Sequence, residues 1–391
     1  MKSNYDELGK HIQLVDRRNS DMVSDNVLGI NIDKFFMPSV ANVIGTDLSK
    51  YKLIIKNTFA CNPMHVGRDE RLPIALYSDE VPAIVSPAYF VFEIKPESTL
   101  LPEFLMMWFR RPEFDRACWF KTDGSVRGGI TWDDICRLEV PVPSVEKQRE
   151  VINSYNAVVD RIELKQKIND NLLHSGVVAL SSYVGTAALI NKTPAEIASI
   201  QLENEWSIQQ ISNFCKDTKS GSTPSRADDS YWNGGIIPWV KSGEVHDSII
   251  ISTEECVTED ALKHTSIKIL PRDTVLMAMY GVTAGEVGYL GIEATTNQAV
   301  CGMICNSPQE SAYLFFALVQ SKEQASRLSN GGAQDNLSKN FIDNIQIIVP
   351  PTNTLESMGL SYFTNQIELN TKEIALLSEM QNTILAQLSS H

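Results

Sequence analysis

Apolar residues recur along this chain in two periods, and each period marks a different kind of element. Short runs rich in β-branched and aromatic residues, bounded by Gly, Pro and Asn, read as strands at residues 52–61, 83–94, 273–281 and 298–305. Two other stretches have apolar residues stepping by three and four. In the first, Ile152, Tyr155, Val159 and Ile162 form one helix face; Leu173 keeps the phase, while Gln166 and Asn169 interrupt it with polar groups. In the second, Tyr362, Leu369, Leu376, Met380, Ile384 and Leu388 lie close to a heptad stripe. Each segment could run about 30 residues, or roughly 45 Å. Thin stripes on long helices suit pairing with each other or with a partner; packing on their own domains is the plainer alternative.

The order of these elements repeats. An aromatic-rich amphipathic segment (Phe104 to Phe109; Tyr313 to Leu318) is followed by a Gly-Gly loop (Gly128-Gly129; Gly331-Gly332) and a short segment ending in Ile135 or Ile342. An apolar strand then ends in proline (Val140 to Pro143; Ile347 to Pro350), and a long polar helix carrying Ile-Glu-Leu comes last. The offset between the copies stays close to 207 positions. A fixed offset over about sixty residues is the mark of an internal duplication. The chain therefore divides into a mixed α/β domain at 1–143, a long helix at 144–182, a linker at 183–205, a second mixed α/β domain at 206–350 and a second long helix at 351–391.

Composition limits what these domains do. With 43% hydrophobic and 21% charged residues, the chain reads as a folded protein of two or three domains. No run approaches the ~18 apolar residues that span a bilayer, and the polar opening MKSNYDELGKHIQLVDRRN is unlike a secretory signal. The cytoplasm is the expected compartment, with no membrane partner. The seven cysteines are scattered without a C-x-x-C, which reads as buried free thiols rather than a metal site.

Net charge is −14. Residues 1–143 hold 17 Lys and Arg against 20 Asp and Glu, and residues 206–350 hold 10 against 16. Neither domain is basic, so any nucleic-acid face must be local, with further positive field supplied by a partner.

Catalytic patterns are missing from the sequence. None of the six histidines sits in H-E-x-x-H or a Cys/His cluster, and there is no G-x-S-x-G, no Lys-bearing phosphate loop and no Asn-Pro-Pro-aromatic tetrapeptide. The glycine-rich stretch Tyr280 to Gly288 lacks a lysine and lies between strands, so it reads as a hairpin turn. The expectation is a protein without catalytic residues, metal or bound cofactor.

Residues suited to reading DNA are present. Between Lys216 and Trp239, the cations Lys216, Lys219 and Arg226 can meet phosphates. Ser220, Ser222 and Thr223 offer short hydroxyls, and Gly221 lets backbone approach closely. Trp239 and Lys241 adjoin them. A polar surface loop with its aromatics turned into the core explains the same composition. In the first domain the matching candidates are Asn62, His65, Arg68 and Arg71, with Lys121 and Arg127 beside the first Gly-Gly turn; Gln334 and Asn336 follow the second. Arg can pair with guanine and Asn or Gln with adenine in the major groove.

On these residues the chain resembles the specificity subunits of type I restriction–modification systems. Ser220-Gly221-Ser222-Thr223-Pro224, Tyr231 and Gly235 to Trp239 resemble the opening of a target-recognition domain, Thr296-Asn297-Gln298 a middle mark, and Gly331 to Leu337 with Ile347 to Pro351 the close. Val85 to Phe92 and Pro141 to Gln148 resemble a variant of the same module in the first domain. That domain lacks the Ser-Gly-x-Thr-Pro opening, and the second helix lacks the Glu-Gln pair usual at its start. Ala333-Gln334 stands where the family often has a small hydroxyl residue.

The resemblance implies two tandem target-recognition domains, each reading half of a split double-stranded DNA target, with the long helices pairing as an antiparallel coiled coil. It implies two methyltransferase subunits as partners, carrying S-adenosylmethionine and methylating adenine, and it allows a motor-nuclease subunit to join. A related type IIB restriction–methylation enzyme, a protein-interaction scaffold and an unrecognised enzyme remain as alternatives.

Overall fold

The computed structural model describes residues 5–40, 45–64, 66–122, 128–190, 192–203, 205–322 and 337–388. It forms two compact units: residues 1–161 with 377–391, and residues 162–376. Each unit takes in part of both long helices, so the units cut across the linear division read from sequence.

The first unit is built on a four-stranded sheet. Ile12–Leu14 pairs with Phe90–Ile94, which pairs with Phe59–Cys61, which pairs with Ile74–Leu76. A second sheet orders Phe36–Pro38, Val27–Ile30, Ala83–Val85 and Lys52–Ile54, with Val27–Ile30 and Ala83–Val85 parallel. The apolar runs at 52–61 and 83–94, each legible as one strand, therefore break into two strands that serve different sheets. Asn57, at φ 67°, makes the first break. Two helices, Pro102–Phe109 and Pro112–Phe120, start at proline, which suits a first helical turn. Phe59, Phe92, Phe104 and Phe109 are fully buried together, with Phe59 stacked on Phe92 at 5.0 Å.

The second unit repeats most of this plan, with the strand matching Lys52–Ile54 missing from its second sheet among the described residues. Asp217–Ser220, Val300–Ile304, Val275–Ala278 and Val287–Leu290 pair in that order, with Ser248–Ile250 added at the edge. Its second sheet orders Glu255–Val257, Ile237–Val240 and Thr295–Thr296, again antiparallel then parallel. Small two-stranded sheets also match: Tyr5–Glu7 with Glu139–Pro141, and Ser207–Gln210 with Gln346–Val349. The duplication legible in the later part of each repeat thus extends through both domains.

The first long helix runs Val145–Tyr183, 39 residues rather than about 30. The second is preceded by a short helix, Thr352–Ser357, and by Gly359 at φ 62°, and runs Leu360–Gln387. Its heptad stripe is corrected in four of its six members, while Ile384 and Leu388 pack into the first unit's core. Tyr362, Leu369, Leu376 and Met380 are 53–66% exposed, whereas Leu360, Thr364, Ile367, Glu368 and Asn370 are buried. The buried Glu368 is the reason: Arg272 and Lys372 both pair with it, so a polar group occupies a core-facing position. In the first unit, Leu385 and Leu388 pack with Ile152 and Tyr155.

The linker at 183–205 is partly packed structure. Ala187 to Ile190 are buried, and the Ile348 and Leu189 amides bond to the Ala187 and Gln346 carbonyls at 2.8 Å each. This segment is sheet-edge backbone, followed by a capped helix at Pro194–Ala198.

Candidate nucleic-acid interface

In the second unit the strand Asp217–Ser220 delivers the Ser-Gly-Ser-Thr-Pro loop onto the turn Thr296-Asn297-Gln298. The Gly221 amide donates to the Val300 carbonyl at 3.1 Å and the Ser222 amide to the Thr296 carbonyl at 2.9 Å. A Cβ on Gly221 would lie 2.2 Å from the carbonyl oxygens of Thr296 and Asn297, so only glycine fits. The Thr223 hydroxyl donates to the Gln298 side-chain oxygen. The turn fixes itself: the Asn297 side chain accepts from the Ala299 amide at 3.0 Å, and its own amide donates to the Val240 carbonyl at 3.0 Å.

Two tryptophans hold the far side of the loop. Trp239 is buried and its indole N–H donates to the Ser222 carbonyl at 3.1 Å. The Trp232 N–H donates to the Ser225 carbonyl at 3.0 Å, and the two rings meet edge to face at 5.0 Å. The Arg226 guanidinium carbon sits 3.6 Å from the Trp232 ring centre and 5.0 Å from that of Trp239. The aromatics thus turn inward, as the plainer explanation of this loop has it, and they present a cation outward.

Three candidate cations here have acidic neighbours. Lys219 lies 3.1 Å from Asp217, Arg226 2.5 Å from Glu255, and Lys241 2.5 Å from Glu254 and 3.3 Å from Glu255. The Arg226 hydrogen bond holds Glu255 below the usual carboxylate range, and the Glu254 hydrogen bond raises Lys241.

The glycine-rich stretch is a turn, as its sequence predicts. Residues 279–286 join the antiparallel strands Val275–Ala278 and Val287–Leu290, with a 3-10 turn at Gly281–Thr283 and Val282 fully exposed. The Met279 amide donates to the Ala299 carbonyl at 2.7 Å, which sets this turn beside Asn297 and Gln298. Gln334 and Asn336 lie outside the described residues; the Leu337 amide just after them donates to the Met279 carbonyl at 2.8 Å.

In the first unit the two loops singled out separately come together. The Gly67 amide donates to the Gly128 carbonyl at 2.9 Å, and the Ile130 amide to the Pro63 carbonyl at 3.1 Å. Asn62 caps this loop by accepting from the Met64 amide at 3.1 Å. Arg68 pairs with Asp69 at 2.6 Å and Arg71 with Asp33 at 3.0 Å. Lys121 is exposed at the end of the helix Pro112–Phe120, and His65 and Arg127 lie outside the described residues.

Strand order corrects the matching of loops between the units. Residues 62–71 join Phe59–Cys61 to Ile74–Leu76, so their counterpart is the turn at 279–286, not the Ser-Gly-Ser-Thr-Pro loop. The true counterpart of that loop leaves Ile12–Leu14 and carries Arg17 and Arg18, which composition and motif did not single out. Arg17 bonds Glu93 at 2.6 Å; Arg18 bonds Asp16 at 2.7 Å and the Lys50 carbonyl at 2.8 Å. The counterpart of Asn297 is Ser86. Ser86 accepts from the Ala88 amide at 3.3 Å through its hydroxyl and from the Tyr89 amide at 3.1 Å through its carbonyl. In the second unit, Ala299 and Val300 donate in the same way to the side chain and carbonyl of Asn297.

Residues 203–379 match the family model of the type I restriction modification DNA specificity domain. The specificity subunit of the type I restriction enzyme HindI from Haemophilus influenzae is 21% identical over 97% of each chain. The MjaIX specificity subunit of Methanocaldococcus jannaschii is 28% identical over 46% of this chain and 43% of its own length. The likeness to type I specificity subunits thus runs nearly the whole length of the chain. A crystal structure of the S subunit from M. genitalium shares the fold, with a TM-score of 0.53 at 15% identity over 98% of this chain and 95% of that one.

The groups gathered in these loops are hydroxyls, amides and paired cations. Among the described residues, no group of three or more His, Cys, Asp or Glu could hold a metal ion, and no helix is long and apolar enough to cross a membrane.

Proposed function

We propose that this chain is the DNA-recognition subunit of a type I restriction–modification complex. In this reading each unit reads one half of a bipartite double-stranded target, and the chain directs partner subunits to it. The observation that carries it is one repeated turn, Asn297–Val300 in the second unit and Ser86–Tyr89 in the first, beside a four-strand order that both units share. Two copies of one reading surface in one chain suit a target in two parts.

The partners in this reading are two methyltransferase subunits, which carry S-adenosylmethionine and methylate adenine, with a motor-nuclease subunit joining for restriction. The chain itself contributes no catalytic group. Its −14 charge makes the methyltransferases a requirement, since they supply the phosphate contacts this chain is too acidic to make alone.

The test is to co-express the chain with its cognate methyltransferase and map methylated adenines across a genome. A two-part motif with an unread spacer is expected. One short continuous motif would overturn the two-reader model, and binding indifferent to sequence would overturn the recognition role.

A further inference from the structure

Arg226 is held unlike a phosphate clamp. Its guanidinium lies 3.6 Å over Trp232, and Glu255 fixes one end by accepting from Nη1 at 2.5 Å. Strand pairing sets this geometry, because Trp239 and Glu255 are directly opposed partners in the sheet Ile237–Val240/Glu255–Val257. The loop bearing Arg226 is itself fastened by the indole bonds to Ser222 and Ser225. Half of the Arg226 side chain remains exposed, and among the described residues no partner is recorded for Nε or Nη2. These two groups form a planar donor pair on the open edge of a stacked plate.

The surrounding charge decides what that edge can meet. Arg226 and Lys241 are balanced by Glu254 and Glu255 within 2.5–3.3 Å. A phosphate arriving here would face two carboxylates and gain little. A neutral base edge suffers no such repulsion. A guanine offers O6 and N7 acceptors side by side in the major groove, the spacing a guanidinium edge matches. Because stacking and the Glu255 bond already order the side chain, little rotamer freedom remains to be lost on binding.

We propose that Arg226, ordered by Trp232 and Glu255, is the specificity-determining residue of the second unit and reads one guanine of its half-target through N7 and O6. This rests on the DNA-recognition reading above and adds to it which base is read and by which residue.

The experiment uses the full chain assembled with its methyltransferase and a duplex carrying the mapped target. Each guanine is replaced singly by 7-deazaguanine, which removes the N7 acceptor and leaves the phosphates untouched. One position is expected to lose roughly 5- to 150-fold in affinity, and Arg226→Met is expected to abolish that dependence at that position only. The base-analogue arm needs no variant, so misfolding of Arg226→Met cannot mask the result. If no guanine matters, or if Arg226→Met weakens every duplex equally and keeps the guanine dependence, the residue is a phosphate contact and the inference fails. Binding indifferent to sequence would overturn the recognition role itself, and this inference with it.

Discussion

Lys165 and Asn370 stand at equivalent positions of the two repeats, 205 residues apart, and the Lys165 ammonium donates to the Asn370 side-chain oxygen at 2.9 Å. Asn370 donates in turn to Asn169 at 2.9 Å, Asn169 to Thr371 at 3.3 Å, and Lys165 pairs with Glu373 at 2.8 Å. Partners fall from 373 toward 370 as the first helix advances from 165 to 169, so the two helices run antiparallel here. A polar layer of this kind fixes the register of an otherwise apolar seam.

Truncating Asn370→Ala strands the side-chain oxygen of Asn169 and removes an acceptor from Lys165. A loss of about 1–3 kcal/mol in urea unfolding is expected. The double change Asn169→Leu with Asn370→Leu removes both partners and is expected to cost less than the single truncation. Equal losses would mean that the layer contributes nothing beyond its volume.

Gly221→Ala places a methyl against two backbone carbonyls that have no flexible end to swing away. The loop must shift, so target binding by the complex is expected to fall at least tenfold, with about 1–3 kcal/mol of stability lost. Gly243→Ala, where nothing lies within 4 Å, is the control and should change neither.

Arg17→Ala and Arg18→Ala test the correspondence drawn from strand order. If the segment after Ile12–Leu14 is the first unit's reading loop, these changes relax or weaken recognition of one half-target and leave the other half intact. Methylation profiling on half-site libraries separates the two. An equal effect on both halves would refute the correspondence.

Cys61 is fully buried, and burial pushes its thiol from 9.0 up to about 12; Cys301 is pushed up to about 12 in the same way. The folded pKa lies above the unfolded one, so the native chain keeps protons that the unfolded chain releases. This contribution to stability is complete below pH ~9 and is lost as pH rises toward ~12, at about 1.4 kcal/mol per pH unit per thiol. Cys61→Ala is expected to flatten the alkaline limb of a stability–pH curve measured by denaturant unfolding. An unchanged slope would show that Cys61 does not set it.

Much of the architecture was legible in sequence, because proline, Gly-Gly and Ile-Glu-Leu recur at nearly constant offset. The front of each domain was not. There the equivalence survives in strand order while side chains diverge: Ser86 and Asn297 make the same turn with different groups, and Arg17 and Arg18 share no motif with Ser222 and Thr223. The loop at Ser220–Arg226 was found because its small residues are dictated by backbone approach. The stripe on the second helix misled for a different reason. Apolar residues lie on both its faces, and the buried one is marked by polar groups that have partners, Glu368 and Asn370 among them.

The pairing of Lys219 and Lys241 with carboxylates has a further result for ion exchange. When such a cation turns to DNA, a carboxylate is uncovered and takes up a cation from solution, offsetting one that the duplex sheds. The interface carries its own resident counterions, so affinity should decline less steeply with added salt than its tally of basic contacts implies.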